Sequence, residues 1–435
     1  MTWWIVAILL LAVSLGLGLS NVVYVAYALL GVLLASRFLT QRWTENLAAH
    51  RRCSRLEVNQ RDKVAVVVEV TNRGRWRVLW TLLEDLLPRK ALAFTPPSLE
   101  VVGERLKLAS LGAGETMRLL YQLTPRRRGY YQLGPLVAET GDVFGLHRRY
   151  RILSQPSFLT VYPDVEPLLG YDIASPKPIG EIRMAHRLFE DPTRQAGVRA
   201  YQPGDPLRKI HWRATARTGS LQSKIYEPSS VAGATVVLDF HEQSYPARDE
   251  PVRSELAVTT AVSLAYALYE MGQQVGLITN GRDAAERVRE EGWDSDLRTR
   301  QAALAAAQPS EVSDRLQPRV IPTGRGPQQP LRIRDLLARL EKTDGLDLPE
   351  LLRECSGRLP RDATVIAIVN RVRPADAWSL IQLRRQGFSV AAIVNVHSTV
   401  EFADRSGPLV AAGIPTYQLV DSASVGSIAR QQLGR

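Results

Sequence analysis

The sequence predicts a multi-domain chain with three parts: an N-terminal transmembrane helical hairpin, a β-sandwich, and an α/β domain of Rossmann-like type. Three observations predict it. The first 36 residues carry no charged side chain. From Leu56 to Tyr162 the chain reads as short β-branched and aromatic runs separated by Gly, Pro and Asn turns. From Ala234 onward, continuous apolar runs alternate with helical stretches. The resulting domain boundaries are 1–40 for two transmembrane helices, 41–55 for a basic juxtamembrane linker, 56–165 for the sandwich, 166–232 for an arginine-rich segment, and 233–435 for the α/β domain with a Pro-rich insertion at 308–330.

The hairpin follows from length. Trp3 to Leu19 is an apolar run, Ser20-Asn21 interrupts it, and Val22 to Ser36 is a second run. As one helix the stretch would measure about 52 Å, well beyond a hydrocarbon core of about 30 Å. Two short helices joined at Ser20-Asn21 fit better. A cleaved signal peptide is disfavoured by the missing positive n-region and the length of the apolar stretch. The turn carries no arginine, whereas Arg37, Arg42, Arg51, Arg52 and Arg55 follow the second run. The positive-inside rule then places the large C-terminal body in the cytoplasm of a multi-pass protein of the inner or plasma membrane.

In the middle of the chain, Val64 to Asn72 is a β-branched run ending in a turn at Asn72 and Gly74. Runs beginning at Arg105, Met117, Gly129 and Phe158 continue the pattern, with no helical period among them. This is the texture of an antiparallel sandwich. Pro163 to Gly180 reads as a connector.

The segment from Glu181 to Glu227 is the most informative. Tyr201-Gln-Pro-Gly-Asp-Pro206 is a type II turn signal, with Pro203 fixing φ and Gly204 supplying a positive φ. Asp205 stands where an N-cap belongs and Pro206 at the first helical position. A short helix is expected to follow, with Leu207, Ile210 and Ala214 on one face, Arg208 four residues before Trp212, and Gly219 as its end. Leu221 to Glu227 alternates as a strand. Arg183, Arg187, Arg194, Arg199, Arg208, Arg213 and Arg217 crowd this segment. Such a cluster suits either a solvated, salt-bridged face or a partner surface. Asp205 and Trp212 are expected to be structural, and Arg199, Arg208 and Arg217 to carry any partner contact.

In the α/β part, Ala234 to Phe240 is a strand with Asp239 at its C-terminal end. Val252 to Met271 is a helix closed by Gly272, and Gln274–Asn280, Ala363–Asn370, Ser389–Val396 and Gly413–Val420 are further strands. Ala375 to Arg385 is a helix between the second and third of these. Parallel sheets covered on both faces have such runs, and their ligands bind at the C-terminal strand ends. Asp239 is therefore the position of interest. The five prolines between Gln308 and Pro330 are expected to mark a loop or flexible insertion.

Composition narrows the chemistry. Lys and Arg total 55 against 44 Asp and Glu, a net charge of +11, without an aromatic-basic nucleic-acid module. The two cysteines, Cys53 and Cys355, make neither a disulfide framework nor a zinc knuckle. No Gly-Lys dipeptide is present for a Walker A loop, and His-Glu-x-x-His and Gly-x-Ser-x-Gly are absent. No cofactor is expected.

The string from Arg199 to Arg217 strongly resembles the signature of the domain of unknown function 58 family. The matching positions are Arg199, Tyr201, Gly204, Asp205, Arg208, Ile210, Trp212, Ala216 and Arg217, with Leu221 before the strand. Arg127-Arg-Gly-Tyr, Gly134-Pro135 and Asp142-Val-Phe-Gly-Leu146 are similar to the family's upstream elements. The resemblance implies a membrane-anchored bacterial or archaeal protein whose α/β domain is von Willebrand factor A-like. It also implies a MoxR-type AAA+ ATPase as partner and a role in protein maturation or complex assembly. Metal-binding domains of that type carry Asp-x-Ser-x-Ser after the first strand. Here Asp239-Phe-His-Glu-Gln243 replaces both serines, so a hard cation would lose two oxygen ligands, and no working metal site is expected at Asp239. The leading expectation is a non-enzymatic membrane-tethered adaptor. The alternatives are a cell-envelope binding or structural protein, and a hydrolase using Asp239, His241 and Glu242.

Overall fold

A computed structural model of the chain describes residues 2–16, 20–93, 96–142, 145, 147–168, 189–202, 210–229, 233–292, 315–361 and 363–427. The chain forms two compact units. The first comprises Met1–Asp164, Asp283–Asp314 and Asp335–Leu340, and the second Val165–Arg282, Arg315–Arg334 and Glu341–Arg435.

The first unit opens with helices α1 (Thr2–Gly16) and α2 (Ser20–Glu45). Of these, only Asn21–Glu45 is long and apolar enough to cross a membrane, with a mean hydropathy of 2.0. The expectation of two spans is thereby reduced to one candidate span near the N-terminus. The expected linker at 41–55 is also corrected. α2 continues through Glu45, and strand β1 (Leu47–Cys53) begins two residues later. The reason is apolar: Trp43 and Leu47 are buried in the sandwich core, so the chain has no free stretch there.

The sandwich continues through β2 (Glu57–Asn59), β3 (Val64–Asn72), β4 (Val78–Asp85), helix α3 (Arg89–Ala93), β5 (Leu99–Gly103), β6 (Leu106–Leu111), β7 (Thr116–Pro125), β8 (Gly129–Leu133), β9 (Leu136–Gly141), β10 (Arg148–Ser154) and β11 (Ser157–Tyr162). Two four-stranded sheets, β1-β3-β7-β5 and β10-β9-β4-β6, accompany a three-stranded sheet β2-β11-β8. Alternation sets the core: Val64, Val66, Val68 and Val70 of β3 point inward with Leu119, Tyr121 and Leu123 of β7. Arg51 and Asp85 form a buried ion pair between β1 and β4, their side chains 2% and 0% exposed. Asp85 also accepts a hydrogen bond from the Tyr121 hydroxyl at 2.6 Å.

The second unit begins with an antiparallel pair, β12 (Phe189–Ala200) and β13 (Gln222–Ser229), joined through helix α4 (Trp212–Thr218). Its main sheet is built from β14 (Gly233–Leu238), β15 (Gln274–Thr279), β16 (Arg319–Gly324), β17 (Thr364–Val369), β18 (Ser389–Asn395) and β19 (Thr416–Leu419). In space they run β16-β15-β14-β17-β18-β19, all parallel except β16. Every residue of β14 and β17 is buried, so both faces are covered. Helix α5 (Val252–Glu270) is buried along most of its length and packs on β14, β15, β17 and β18. Gly272 follows with φ +67°, the left-handed value that ends a helix at glycine.

The loop expected at 308–330 is corrected over its described part. β16 pairs antiparallel with β15 at the sheet edge, and a helix, Gln328–Arg339, starts before Pro330. Two of the prolines mislead because they are tolerated where they stand. Pro322 sits in an edge strand, and Pro330 lies in a first helical turn, where no intrahelical N–H bond is due. Residues 308–314 lie outside the described set.

Candidate functional site

The order of the main sheet reverses between β14 and β17, the third and fourth positions of the row, since β15 and β16 extend one way and β18 and β19 the other. In open α/β sheets such a switch point is where ligands bind. Asp239 follows β14 directly at this point. Its register neighbour is Asn280, which follows β15, while Asn370 follows β17 beside Asn395 at the end of β18. All four are buried.

The polar atoms there satisfy one another. Asp239 Oδ2 accepts from Ser244 Oγ at 2.5 Å, and Oδ1 accepts from Asn280 Nδ2 at 2.9 Å and from the His241 amide at 3.2 Å. Tyr245 donates its hydroxyl to the Asp239 carbonyl at 2.8 Å. Asn280 Oδ1 accepts the Phe240 amide at 2.6 Å, and Asn370 Nδ2 donates to the Ser244 carbonyl at 2.7 Å. The Phe240 and Tyr245 rings meet edge to face with centroids 5.6 Å apart. Burial pushes the Asp239 carboxyl above its ordinary range, opposed by the Ser244, Asn280 and His241 hydrogen bonds.

His241, one of two residues standing where the serines would be, caps the short turn Glu242–Ser244. Its Nδ1 accepts from the Gln243 amide at 3.1 Å. Glu242 and Gln243 are exposed. Asp239, His241 and Glu242 are thus not brought together as an acid–base group. Among the described residues no group of three His, Cys, Asp or Glu side chains is placed to hold a metal ion. Ser244 and Asn280, which hold the carboxylate, were not singled out from sequence. The readable signal was the row of Asp or Asn closing four successive parallel strands. Calorimetric titration of the full chain with Mg²⁺ is expected to show no saturable micromolar binding. Saturable binding that disappears in Asp239→Ala would reverse this assignment.

The signature residues behave differently from expectation. Gly204, Asp205 and Arg208 lie outside the described residues, and with them the proposed Asp205 cap and the Arg208–Trp212 contact. The described helix starts at Trp212 and is capped by His211, whose ring accepts from the Ala214 amide at 3.0 Å. Gly219 closes it with φ +70°. Ile210 is buried, in a bridge to Ser223 rather than on the helix. Tyr201 is half-buried, its amide donating to the Leu221 carbonyl at 2.9 Å.

Trp212 is the main correction. Expected to be structural, it is 68% exposed. α4 spans only two turns and has no buried residue at all, so its indole has no core to enter. Arg199, Ala216, Arg217 and Leu221 are exposed as well.

A membrane-helix candidate, a sandwich and a strand-end polar cluster in an α/β unit together describe a multidomain chain with a substantial β-sheet body. Residues 197–320 match the family described as "Protein of unknown function DUF58". The uncharacterised protein YeaD of Bacillus subtilis (strain 168) is 23% identical over 263 residues, 60% of this chain and 62% of that protein. The chain thus spans less than two thirds of the length of this curated relative. Among solved structures, the CARDB domain of the PF1109 protein from Pyrococcus furiosus is 17% identical, covering 26% of this chain and 91% of that one, with a TM-score of 0.19. Proximal thread matrix protein 1 from the mussel byssus is 11% identical, covering 46% of each chain, with a TM-score of 0.30. Scores this low carry no weight for the fold.

Proposed function

We propose that this chain is a membrane-anchored, non-enzymatic adaptor or assembly factor. In this reading a von Willebrand factor A-like α/β body works on the cytoplasmic side with a MoxR-type AAA+ ATPase. The observation that carries the reading is the exposed signature helix: Trp212 stands 68% exposed on a helix without a buried residue, which also carries the exposed Arg213 and Arg217. A large aromatic flanked by arginines is the composition of an interface anchor. Tethering is supported by α2, whose last turns belong to the sandwich core through Trp43 and to strand β10 through Arg151. The Arg151 guanidinium donates to the carbonyls of Thr44 and Glu45 at 2.7 and 2.6 Å. A helix so integrated suits an anchor better than a removable leader.

The test is a pull-down of the full chain from detergent with a MoxR-type ATPase. The variant Trp212→Ala/Arg213→Glu/Arg217→Glu should melt near wild type, since exposed substitutions usually stay within about 0.5 kcal/mol, and should lose the ATPase. A folded variant that retains the ATPase would move the contact off this helix. An unfolded variant would make the segment structural and end the argument from exposure.

A further inference from the structure

We propose that the outer face of the sheet β6-β4-β9-β10 is where two copies of this chain, anchored in the same bilayer, pair side by side. The inference rests on the reading of α2 as a membrane anchor. Register sets the face. Leu82 stands between Leu108 and Glu139, whose other neighbour is Tyr150. Glu84 stands between Leu106 and Val137, whose other neighbour is Ile152. The alternate residues Leu83, Leu136 and Ala138 enter the core, so these two rows point outward. Outward positions of an antiparallel sheet facing water are ordinarily polar. Here six of the eight are apolar. Leu106, Leu108, Tyr150 and Ile152 are exposed, Leu108 to 66%, and Leu82 and Val137 between them are half-buried. The two carboxylates in the rows are already paired, Glu84 with Arg105 at 3.1 Å and Glu139 with Arg148 at 3.5 Å. The face therefore offers an occupant apolar contact, with its acids compensated from within the sheet.

Two contacts fix how this sheet stands relative to α2. Ser36 Oγ lies 2.9 Å from Nδ1 of His147, the residue before β10, and the Thr44 carbonyl accepts from Arg151 within β10 at 2.7 Å. From Ser36 to Thr44 the helix advances about 12 Å. From His147 to Arg151 the strand advances about 13 Å. The matched lengths lay α2 alongside β10, running in the same direction. A sheet whose strands follow its anchor helix stands upright on the bilayer with its face turned sideways. Tyr150 sits roughly 10 Å beyond the level of Ser36, on the side away from the span.

That geometry selects a second copy as the occupant. From the spacing of strands and residues, the face measures roughly 20 Å each way, or about 400 Å². A stable complex takes about 800 Å² from each partner, so a freely diffusing protein gains too little here. A neighbour held in the same bilayer meets the face at a raised effective concentration and at a fixed height. A two-fold axis along the membrane normal sets each row against the same row of the neighbour, with β6 opposite the neighbour's β10. Leu106 and Leu108 of one copy then face Ile152 and Tyr150 of the other.

The experiment uses the full chain in a Cys53→Ser background, reconstituted into vesicles of phosphatidylcholine and phosphatidylglycerol and treated with a short bismaleimide. The reactive cysteine is Leu108→Cys on β6 or, as a control on the outer face of the other sheet, Leu120→Cys, where the leucine is 57% exposed. Cys355, which is buried, stays in both. Leu108→Cys should give several-fold more covalent dimer than Leu120→Cys. Adding Tyr150→Glu/Ile152→Glu should bring the Leu108 yield down to the Leu120 level, because those residues lie on the opposite edge strand and reach position 108 only from the neighbouring copy. In dilute detergent both positions should crosslink equally weakly. Equal yields in vesicles overturn the pairing, whether or not the double-glutamate variant folds. A Leu108 yield left unchanged by a folded double-glutamate variant overturns it too. Flotation of the vesicles after alkaline extraction reads the anchor separately. Chain that stays behind removes the anchor and the pairing with it, whereas floating chain with equal yields removes the pairing alone.

Discussion

Asp85→Ala is expected to destabilise the sandwich by roughly 3–5 kcal/mol, the cost of breaking a buried ion pair by removing one partner. The geometry explains the size. The Arg51 side chain is 2% exposed and donates through Nε to Asp85 Oδ2 at 3.0 Å, through Nη2 to Oδ1, and through Nη1 to the Gln155 carbonyl at 2.9 Å. Removing the carboxylate leaves a buried guanidinium with one carbonyl and strands the Tyr121 hydroxyl, which has donated to Asp85 at 2.6 Å. Thermal unfolding followed by a probe in this unit should shift downward by on the order of 10 °C. Tyr121→Phe removes one neutral donor and should cost about 1 kcal/mol. The pair Arg51→Met/Asp85→Leu should recover much of the loss, because an apolar pair of similar volume avoids desolvating two charges. A shift of only a degree or two in Asp85→Ala would show that water or another donor replaces the carboxylate.

The same cluster shows why burial chemistry is harder to read than strand pattern. β3 was legible because Val64 to Val70 is an unbroken β-branched run whose alternate residues enter the core. β10, Arg148-Arg-Tyr-Arg-Ile-Leu-Ser154, was not, because its face is written in arginine: Arg148 reaches Glu139 at 3.5 Å and Arg151 caps the end of α2. Each charge is sensible only once the partner strand or helix is in place. In the α/β unit, continuous apolar runs revealed the parallel strands, whereas β16 was hidden by Pro318 and Pro322. An edge strand tolerates a proline that a central strand would not.

The signature segment shows the opposite limit. Tryptophan is usually a core residue, and the expectation for Trp212 followed that prior. A helix of seven residues capped at both ends by His211 and Gly219 has no apolar face to bury it. Asp239, Asn280 and Asn370 stand at the ends of strands read from the sequence, whereas Asn395 fell inside the run Ser389–Val396. What the sequence did not carry was that Ser244, five residues on, would turn back onto Asp239.

That turn makes Asp239 the site of the second large effect. Asp239→Ala is expected to cost roughly 3–5 kcal/mol, because it leaves Ser244 Oγ and the His241 amide without their acceptor and removes one of two acceptors of Asn280 Nδ2. Each such buried donor costs about 1–3 kcal/mol, less where the turn can relax. Asp239→Asn should behave differently. The carboxamide keeps an acceptor oxygen for Asn280 and His241, and its amino group can donate to Ser244 Oγ once that hydroxyl rotates. The sign of the pH dependence separates the two. Burial raises the Asp239 pKa above its usual 3.8, so the folded state holds its proton more tightly than the unfolded chain does. Stability therefore falls as pH rises from about 3.8 toward the folded-state pKa, and the penalty stays at its full size above that value. Asp239→Asn carries no such penalty. Its melting temperature at pH 7 should equal or exceed wild type, and this part of the wild-type decline with pH should vanish. Melting curves of wild type, Asp239→Asn and Asp239→Ala between pH 4 and pH 8 give the answer. If Asp239→Asn melts as low as Asp239→Ala at every pH, the carboxylate is needed as an anion, and the hydrogen bonds at the switch point are worth more than its desolvation.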